Sequence, residues 1–483
     1  MDAHLSQFQF RPPCTTLICD LGDVFFTWTR PTDSLIAPHL LDAILRSRAW
    51  GDYERGHITV AQCYALAAKE VGLDTGVVED AFAAATESIK PNGPLLAFVR
   101  NLKQRYNLAV YAMTNLGREH AAAAISTTWP GPLFDGVFLS CDAGTRKPER
   151  AFFEHVLARL QVDAASAIFF DDKEKHVRAA NQLGIRGITF HDNESFMPLL
   201  AGAVDGALHR GEAFLLSRAG KMVSFFDTGK VCLENFSQFL ILELTGKRDW
   251  VTITRSTNHR FNYYQGREAD AFPCDLDTTS LAFTTLGHND DEARNLLEDM
   301  LAFRDPDGVF QVYFDHTCQQ VCATACLNIL TFLFSERRTE DAGPTLAYTR
   351  GVLEGRQYLA TGTRFYSAPD PFLFFACRLL QRAPQLRKDW GPLLKQRLVE
   401  RVGEEGDATG LALRLLACAA ANVANGKDLA ALYSLQKSDG SWSGWFVSKP
   451  STNTKIGNDS LATVLATRAI LAHECPPIES WSW

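Results

Sequence analysis

Asp275-Leu276-Asp277-Thr278-Thr279 places two carboxyls one residue apart, after Ala271-Phe272-Pro273-Cys274 and just ahead of the apolar Leu281-Ala282-Phe283. Paired carboxyls at the mouth of an apolar segment suit the protonation of a carbon–carbon double bond. An alkene is a very poor base, so the acid must arrive protonated and lie close to it. Burial raises a carboxyl pKa by disfavouring the anion, and a hydrogen-bonded partner orients the proton. The same residues also read as the cap of a helix starting near Ser280, because Asp and Thr are good N-caps.

A second set of acidic residues lies in the N-terminal half. Thr16-Leu17-Ile18-Cys19 is a short apolar run ending at Asp20, followed by Leu21-Gly22-Asp23-Val24. A buried parallel strand with an Asp at its C-terminal end is where open α/β sheets place their chemistry. A second strand, Ala109 to Met113, ends at Thr114-Asn115, and Gly144-Thr145-Arg146-Lys147-Pro148 precedes a helix-like stretch from Arg150 to Leu160. A third strand, Ala167 to Phe170, ends at Asp171-Asp172, and a fourth is Gly187-Ile188-Thr189-Phe190.

The elements that must position these groups divide the chain. With 483 residues, two or three domains are expected. Residues 1–205 read as α/β, with a helical insert over about 33–92 whose Leu40-Leu41, Ile44-Leu45 and Phe82 fall at amphipathic spacing. Residues 206–230 read as a connector interrupted by Gly206, Gly211 and Gly220. Residues 231–483 read as all-α: Asp291 to Phe303, Cys318 to Phe334, Thr345 to Leu359, Pro371 to Leu380, Leu393 to Val402, Leu411 to Asn425 and Ser460 to Ala472. Antiparallel helices of this length with short loops suggest an α/α barrel.

Composition narrows the class further. Hydrophobic content of 46% and charged content of 22% are those of a soluble globular protein. A net charge of −8 argues against nucleic acid as a partner. Met1-Asp2-Ala3-His4 carries no basic region leading into an apolar run, so no signal peptide is expected. The most apolar stretches, such as Phe236 to Leu244, fall short of the roughly 20 residues that span a bilayer, so no integral membrane segment is expected. Scattered cysteines fit reduced thiols in a cytoplasmic protein. Cys318, Cys322 and Cys326 near His316 lie four apart and read as one helical core stripe in preference to a metal site.

On these motifs the N-terminal half resembles the haloacid-dehalogenase-like hydrolases, mostly phosphatases. The resemblance implies Asp20 as the nucleophile, Thr114 binding the phosphoryl group and Lys147 neutralising it. Asn115 would contact substrate, and Asp20, Gly22, Asp171 and Asp172 would form the Mg²⁺ site. The physics agrees: a hard cation wants carboxylate oxygens, and phosphoryl transfer needs positioning and charge neutralisation. Gly22 departs from the pattern, because the family usually has an Asp there as general acid. Loss of an outer phosphate expels a phosphate anion, whereas loss of the inner one expels an alkoxide that needs a proton. The second step is therefore expected to be slow or to borrow another acid.

The D-x-D-T-T run resembles the acid motif of class II terpene cyclases, and Leu435-Gln436-Lys437-Ser438-Asp439-Gly440-Ser441-Trp442 resembles the Q-x-x-D-G-x-W turns of that superfamily. The resemblance makes Asp277 the proton donor, Asp275 its orienting or proton-replenishing partner, and Thr278 the occupant of a third acidic position. Aromatic faces stabilise a carbocation without acting as bases; candidates are Phe261, Tyr263, Tyr264, Phe310, Phe314, Tyr366, Trp442 and Trp445. Arg255, Arg260, Arg267, Arg364 and Lys455 are candidate diphosphate anchors. No D-D-x-x-D pattern that would ionise a diphosphate is evident, since Asp171-Asp172 is followed by Lys175. The whole chain resembles the haloacid-dehalogenase-like terpene cyclase fusions that make drimane sesquiterpenes. That resemblance implies farnesyl diphosphate as substrate, Mg²⁺ as cofactor and an alcohol as product. The alternatives are a cyclase releasing the bicyclic diphosphate, or a small-molecule phosphatase with a helical binding module. A homodimer is compatible with the sequence.

Overall fold

The apolar runs that end in polar residues become the strands of a parallel sheet. The computed structural model describes residues 12–28, 36–127, 133–255, 259–361, 363–366, 368–449 and 454–474. Met1–His4, used above, lie outside the described residues. The chain forms two compact units, Arg11–Gly206 and one running from Ala207 to Trp483.

In the first unit, β1 (Thr16–Cys19), β2 (Ala109–Thr114), β3 (Gly136–Leu139), β4 (Ala167–Asp171) and β5 (Arg186–Thr189) pair in the order β3-β2-β1-β4-β5. Every neighbouring pair is parallel. Side chains alternate along a strand. Leu17 and Cys19 therefore enter the core beneath helices Gly93–Tyr106 and Asn193–Val204. Ile18 enters the opposite core, under Arg150–Leu160 and Glu174–Gln182. Both faces are covered, so these strands read as continuous apolar runs. The chain turns to opposite sides at β1, and the crevice beyond such a switch point is the usual ligand site. Asp20, Thr114 and Asp171 all stand there.

Residues 38–87 form a four-helix cap, Pro38–Arg46, Arg48–Glu54, Val60–Val71 and Thr75–Glu87. Its own core holds Leu41, Ile44, Trp50, Tyr53, Cys63, Tyr64 and Phe82.

The second unit is built on six helices: α1 (Phe236–Thr245), α2 (Leu276–Thr285), α3 (Ala323–Ser335), α4 (Asp370–Arg382), α5 (Ala408–Ala420) and α6 (Asp459–Glu474). Each packs on the next, and α6 returns to α1, closing a ring. Helices Ala207–Arg218, Gly343–Glu354, Arg387–Arg401 and Gly426–Ser434 pack against this ring. A helix with core on every side is apolar all round; α3 is buried from Ala323 through Phe334.

Two expectations change here. The stretch 206–230 is not a connector: it holds helix Ala207–Arg218 and the strands β6 (Ser224–Phe226) and, just beyond, β7 (Val231–Cys232). These join β8 (Trp445–Lys449) and β9 (Thr454–Gly457) in an antiparallel sheet ordered β8-β9-β6-β7. Gly211 marks close packing: a Cβ there would sit 2.8 Å from the Trp442 ring and 2.9 Å from Thr467. The second change concerns the cysteines. Helix α3 starts at Ala323, so Cys318 and Cys322 precede it and form no helical stripe with Cys326.

Arg414 of α5 is fully buried and ties the ring together. Its Nε donates to Asp370 Oδ1 at 2.8 Å and its NH1 to Asp428 at 3.2 Å. Removing one member of a buried pair leaves a charge without compensation, which costs about 3–5 kcal/mol. Arg414→Ala is therefore expected to lower the denaturant midpoint of the helical unit by that free energy, measured by urea unfolding.

Candidate active sites

The D-x-D-T-T run caps a helix that begins at Leu276, four residues earlier than the expected start near Ser280, and it keeps both carboxyls buried. Asp275 is the N-cap of α2, its Oδ1 accepting from the Thr278 amide at 2.6 Å. Capping employs Asp275 and leaves Asp277 in the first helical turn, 7% exposed. The helix start is pinned by the Asp275 amide on Phe261 O at 3.0 Å and the Leu276 amide on Val312 O at 2.6 Å.

Asp277 is held by two neutral donors. Asn328 Nδ2 donates to Oδ1 at 2.7 Å, and the Tyr366 hydroxyl donates to Oδ2 at 2.8 Å. Asn328 lies within α3 and Arg378 within α4. Arg378 NH1 donates to Asn328 Oδ1 at 3.3 Å, its Nε donates to Glu243 at 3.0 Å, and its NH2 donates to Thr284 at 2.5 Å. Arg378 cannot accept a hydrogen bond, so it fixes the Asn328 amide with its NH₂ towards Asp277. Burial pushes Asp277 up to about 6 while the Asn328 and Tyr366 hydrogen bonds and the Arg378 charge pull it down. Burial and the Asp277 charge push Asp275 up to about 8. The result is a carboxyl that carries its proton in mildly acidic solution and whose anion is already solvated by fixed donors. Such donors stabilise the charge that develops as the proton leaves.

Asp275 Oδ2 has no hydrogen-bond partner among the described residues, and no hydrogen bond joins it to Asp277. Its contact with the acid is electrostatic.

The aromatic neighbours differ from most of the candidates. Tyr366 packs against Phe236 at 6.2 Å, Phe375 at 6.2 Å and Phe446 at 5.6 Å. Phe261 is buried edge-on to Phe239 at 5.2 Å, beside the helix start. Tyr264 packs with Tyr263 and Phe272, both at 4.9 Å. Trp442 is corrected to a packing residue: fully buried, it donates Nε1 to Leu432 O at 2.7 Å. Phe310 is likewise enclosed, under the Arg304 guanidinium at 4.5 Å.

Among the cationic candidates, Arg260 is engaged elsewhere. It binds Asp299 through two hydrogen bonds of 2.8 and 2.7 Å and lies 4.4 Å from the Phe314 ring centre. An arginine matched to a carboxylate in this planar way has little charge left for a diphosphate. Arg255 meets His259 at 3.1 Å and Glu292 at 3.8 Å, and Arg364 donates to Gln320 at 2.8 Å. Arg267 is exposed in a 3₁₀ turn and Lys455 is half-buried on β9.

In the other unit, Lys147 is the hub. Its Nζ meets Asp20 Oδ1 at 2.7 Å, Asp171 Oδ2 at 2.6 Å and the Met113 carbonyl at 2.8 Å, and the lysine is 1% exposed. Asp171 also accepts from the Lys173 amide at 2.8 Å and lies 2.9 Å from His176 Nδ1. Charges from Lys147 and His176, with their hydrogen bonds, hold Asp171 well below the usual carboxylate range despite burial. Burial, then Asp171, push Asp20 up to about 7 against the pull of Lys147. Thr114 is buried at the end of β2.

Asn115, expected to contact substrate, also clamps Lys147. Its side chain accepts from the Lys147 amide at 2.8 Å and donates to the Lys147 carbonyl at 2.9 Å. That fixes the lysine's backbone and leaves the amide one further N–H and one further lone pair. Oxygens of Asp20, Asp171 and Asp172 lie within 4.8 Å of one another, a hard donor set suited to a divalent cation. Asp171 is already engaged by Lys147, Lys173 and His176, so Asp20 and Asp172 are the freer ligands. Gly22 can add only its main chain. Lys173 and His176 went unnoticed in the sequence, though both follow Asp171-Asp172 within a turn of helix.

A parallel sheet with a carboxylate beside a buried lysine at its switch point is the setting of a phosphoryl-transfer hydrolase. A ring of helices around a buried, hydrogen-bonded carboxyl is the setting of a cyclase, and one chain carries both. Family models agree: residues 40–184 match haloacid dehalogenase-like hydrolase, and residues 208–336 match the sesquiterpene cyclase astC-like C-terminal domain. Drimenol cyclase drtB of Aspergillus calidoustus is 33% identical over 472 residues, covering 94% of this chain and 87% of that protein. Sesquiterpene phosphatase astK of Aspergillus oryzae is 35% identical over 185 residues, 37% of this chain and 93% of that protein. A haloacid-dehalogenase-family enzyme of Bacteroides thetaiotaomicron, solved as a magnesium complex, superposes on 39% of this chain and 99% of its own with a TM-score of 0.33 and 21% identity. The chain belongs to the family of sesquiterpene cyclases that carry a haloacid-dehalogenase-like domain. It is a terpene cyclase with a phosphatase domain. No helix among the described residues is long and apolar enough to cross a membrane.

Proposed function

We propose that the helical unit cyclises farnesyl diphosphate to a drimane-type bicyclic diphosphate and that the N-terminal unit converts it to the alcohol, of drimenol or albicanol type. The observation that carries this reading is the buried Asp277, its two oxygens held by Asn328 and Tyr366. Asp277 gives its proton to the distal alkene, two rings close, and a carbon-bound proton is lost. Asn328 and Tyr366 hold the resulting carboxylate, while Phe236, Phe375 and Phe446 offer faces to the cation. The retained diphosphate then meets Asp20, with Lys147 balancing phosphoryl charge and Thr114 positioning it. Asp20 and Asp172, with the Gly22 main chain, would hold Mg²⁺, which supplies charge neutralisation at the phosphoryl oxygens when bound.

Incubation with farnesyl diphosphate and Mg²⁺, followed by gas chromatography–mass spectrometry with and without an added phosphatase, tests both halves. A bicyclic alcohol in both samples is expected. A bicyclic alcohol only after added phosphatase supports the second reading, a cyclase that releases the diphosphate, which Gly22 favours. Farnesol alone would reject the cyclase.

Tyr366 tunes the acid. A hydrogen bond donated to a carboxylate favours the anion, so its loss raises the pKa of Asp277. Cyclisation requires the protonated acid and declines as pH rises through about 6. Tyr366→Phe is expected to move that decline upward by about one pH unit, the worth of one hydrogen bond to a charged group, and to lower the plateau rate about tenfold. A pH profile of kcat for bicyclic diphosphate formation checks both.

A further inference from the structure

Removing the last phosphate from an alkyl monophosphate expels an alkoxide, and Gly22 places no acid on the strand end. Asp171 is engaged by Lys147 and His176, and Asp20 is the nucleophile. Asp23 has a left-handed backbone with φ of 58° and its charge acts on Asp172 and Lys173, on the metal side.

The cap supplies another carboxyl. Glu54 ends helix Arg48–Glu54, and its backbone carbonyl accepts from Ser140 Oγ at 2.6 Å. Ser140 Oγ also accepts from the amide of Leu116 at 2.9 Å, directly after Thr114-Asn115. The Glu54 side chain is 12% exposed, and its Oε2 lies 2.9 Å from NH1 of Arg146, the residue before Lys147. Its Oε1 accepts from Trp50 Nε1 at 3.0 Å. This cap residue is thus pinned between the loops that carry Thr114 and Lys147. The charges of Lys147 and Lys173 both reach it, and burial raises its carboxyl despite Arg146.

We propose that Glu54 is the general acid that protonates the leaving alcohol oxygen at the phosphoryl site, taking the place that Gly22 leaves empty. This rests on the reading of Asp20 as nucleophile. In the first half-reaction the Asp20 carboxylate attacks phosphorus, the ester P–O bond breaks, and the alkoxide takes the proton of the Glu54 carboxylic acid. In the second, water attacks the aspartyl phosphate and passes one proton to the Glu54 carboxylate. The acyl phosphate P–O bond breaks, and inorganic phosphate leaves with Asp20 and Glu54 restored. The outer phosphate of a diphosphate needs no such proton, because its leaving group is itself a phosphate.

The test is a leaving-group series on the full chain with Mg²⁺: p-nitrophenyl phosphate, phenyl phosphate and farnesyl monophosphate, for wild type, Glu54→Gln, Asp23→Asn and Asp20→Asn. Loss of a general acid costs about 100-fold or more where the leaving group is poor. Glu54→Gln is expected to lower kcat/KM for farnesyl monophosphate by about that factor relative to p-nitrophenyl phosphate, turning a shallow leaving-group dependence steep. With farnesyl diphosphate, phosphorus NMR is expected to show monophosphate accumulating in this variant. Glu54→Asp is expected to recover part of the alkyl activity. Equal losses on all three esters would make Glu54 only a cap anchor and overturn the proposal, as would steepening in Asp23→Asn alone. Undiminished turnover in Asp20→Asn would instead overturn the underlying phosphatase reading.

Discussion

Asp277→Asn is expected to abolish cyclisation of farnesyl diphosphate, with bicyclic product falling by about 10⁴-fold or to the detection limit, the upper range for loss of a positioned acid. An amide is nearly the same size as the acid but has no proton to give. The surrounding donors make the case stricter. Asn328 presents its NH₂ because Arg378 holds its carbonyl oxygen, and Tyr366 presents its hydroxyl. Neither is placed to protonate an alkene in place of Asp277, since both point at its side chain. Gas chromatography–mass spectrometry after added phosphatase reads the result. Hydrolysis of p-nitrophenyl phosphate, which depends on the other unit, is the folding control and is expected to stay at the wild-type rate. Persistent bicyclic product would remove Asp277 from the mechanism.

The second large effect belongs to Asp20→Asn. Without its carboxylate nucleophile the phosphoryl site is expected to lose turnover by about 10⁴-fold, with the bicyclic diphosphate accumulating instead of alcohol. The fold is expected to survive, because Asp20 lies at the open end of β1 and the lysine beside it keeps Asp171 as a partner at 2.6 Å. Liquid chromatography–mass spectrometry of the unextracted reaction separates diphosphate, monophosphate and alcohol. Unchanged alcohol from purified protein would place dephosphorylation elsewhere.

Much of the chemistry was legible in the chain because it sits in contiguous motifs at predictable strand and helix ends. Asp20, Thr114 and Asp171 were each readable as the residue where an apolar run stops, and Lys147 as part of a polar loop ahead of a helix. Asp275 and Asp277 announced themselves through capping chemistry and spacing. The helical ring was partly visible, yet α1 went unassigned and the start of α2 was placed near Ser280, four residues late. Their apolar faces carry almost no amphipathic signal, because they are buried on every side. The stretch 206–230 misled through its glycines. Gly211 looks like a break in one dimension and is a close contact with Trp442 in three.

The diphosphate anchors were the least legible part. A surface-like Arg in sequence carries no sign of its partner, and Arg260 turned out to face Asp299. Cations and aromatics gain meaning from neighbours that are distant in the chain. Trp442 is aromatic and near a turn, yet its indole N–H is committed to Leu432 within the core.

The chain alone therefore determined which groups are candidates to give a proton or take a phosphoryl group, because the type and local spacing of acids, lysine and apolar runs set intrinsic chemistry. Only the tertiary structure decided how acidic and how well aimed those groups are. Asn328 and Tyr366 stand 51 and 89 residues from Asp277, and Glu54 is 92 residues from Arg146 by their numbering. A hydrogen bond acts over about 3 Å, and burial requires neighbours on every side, so both are properties of packed space and not of order along the chain.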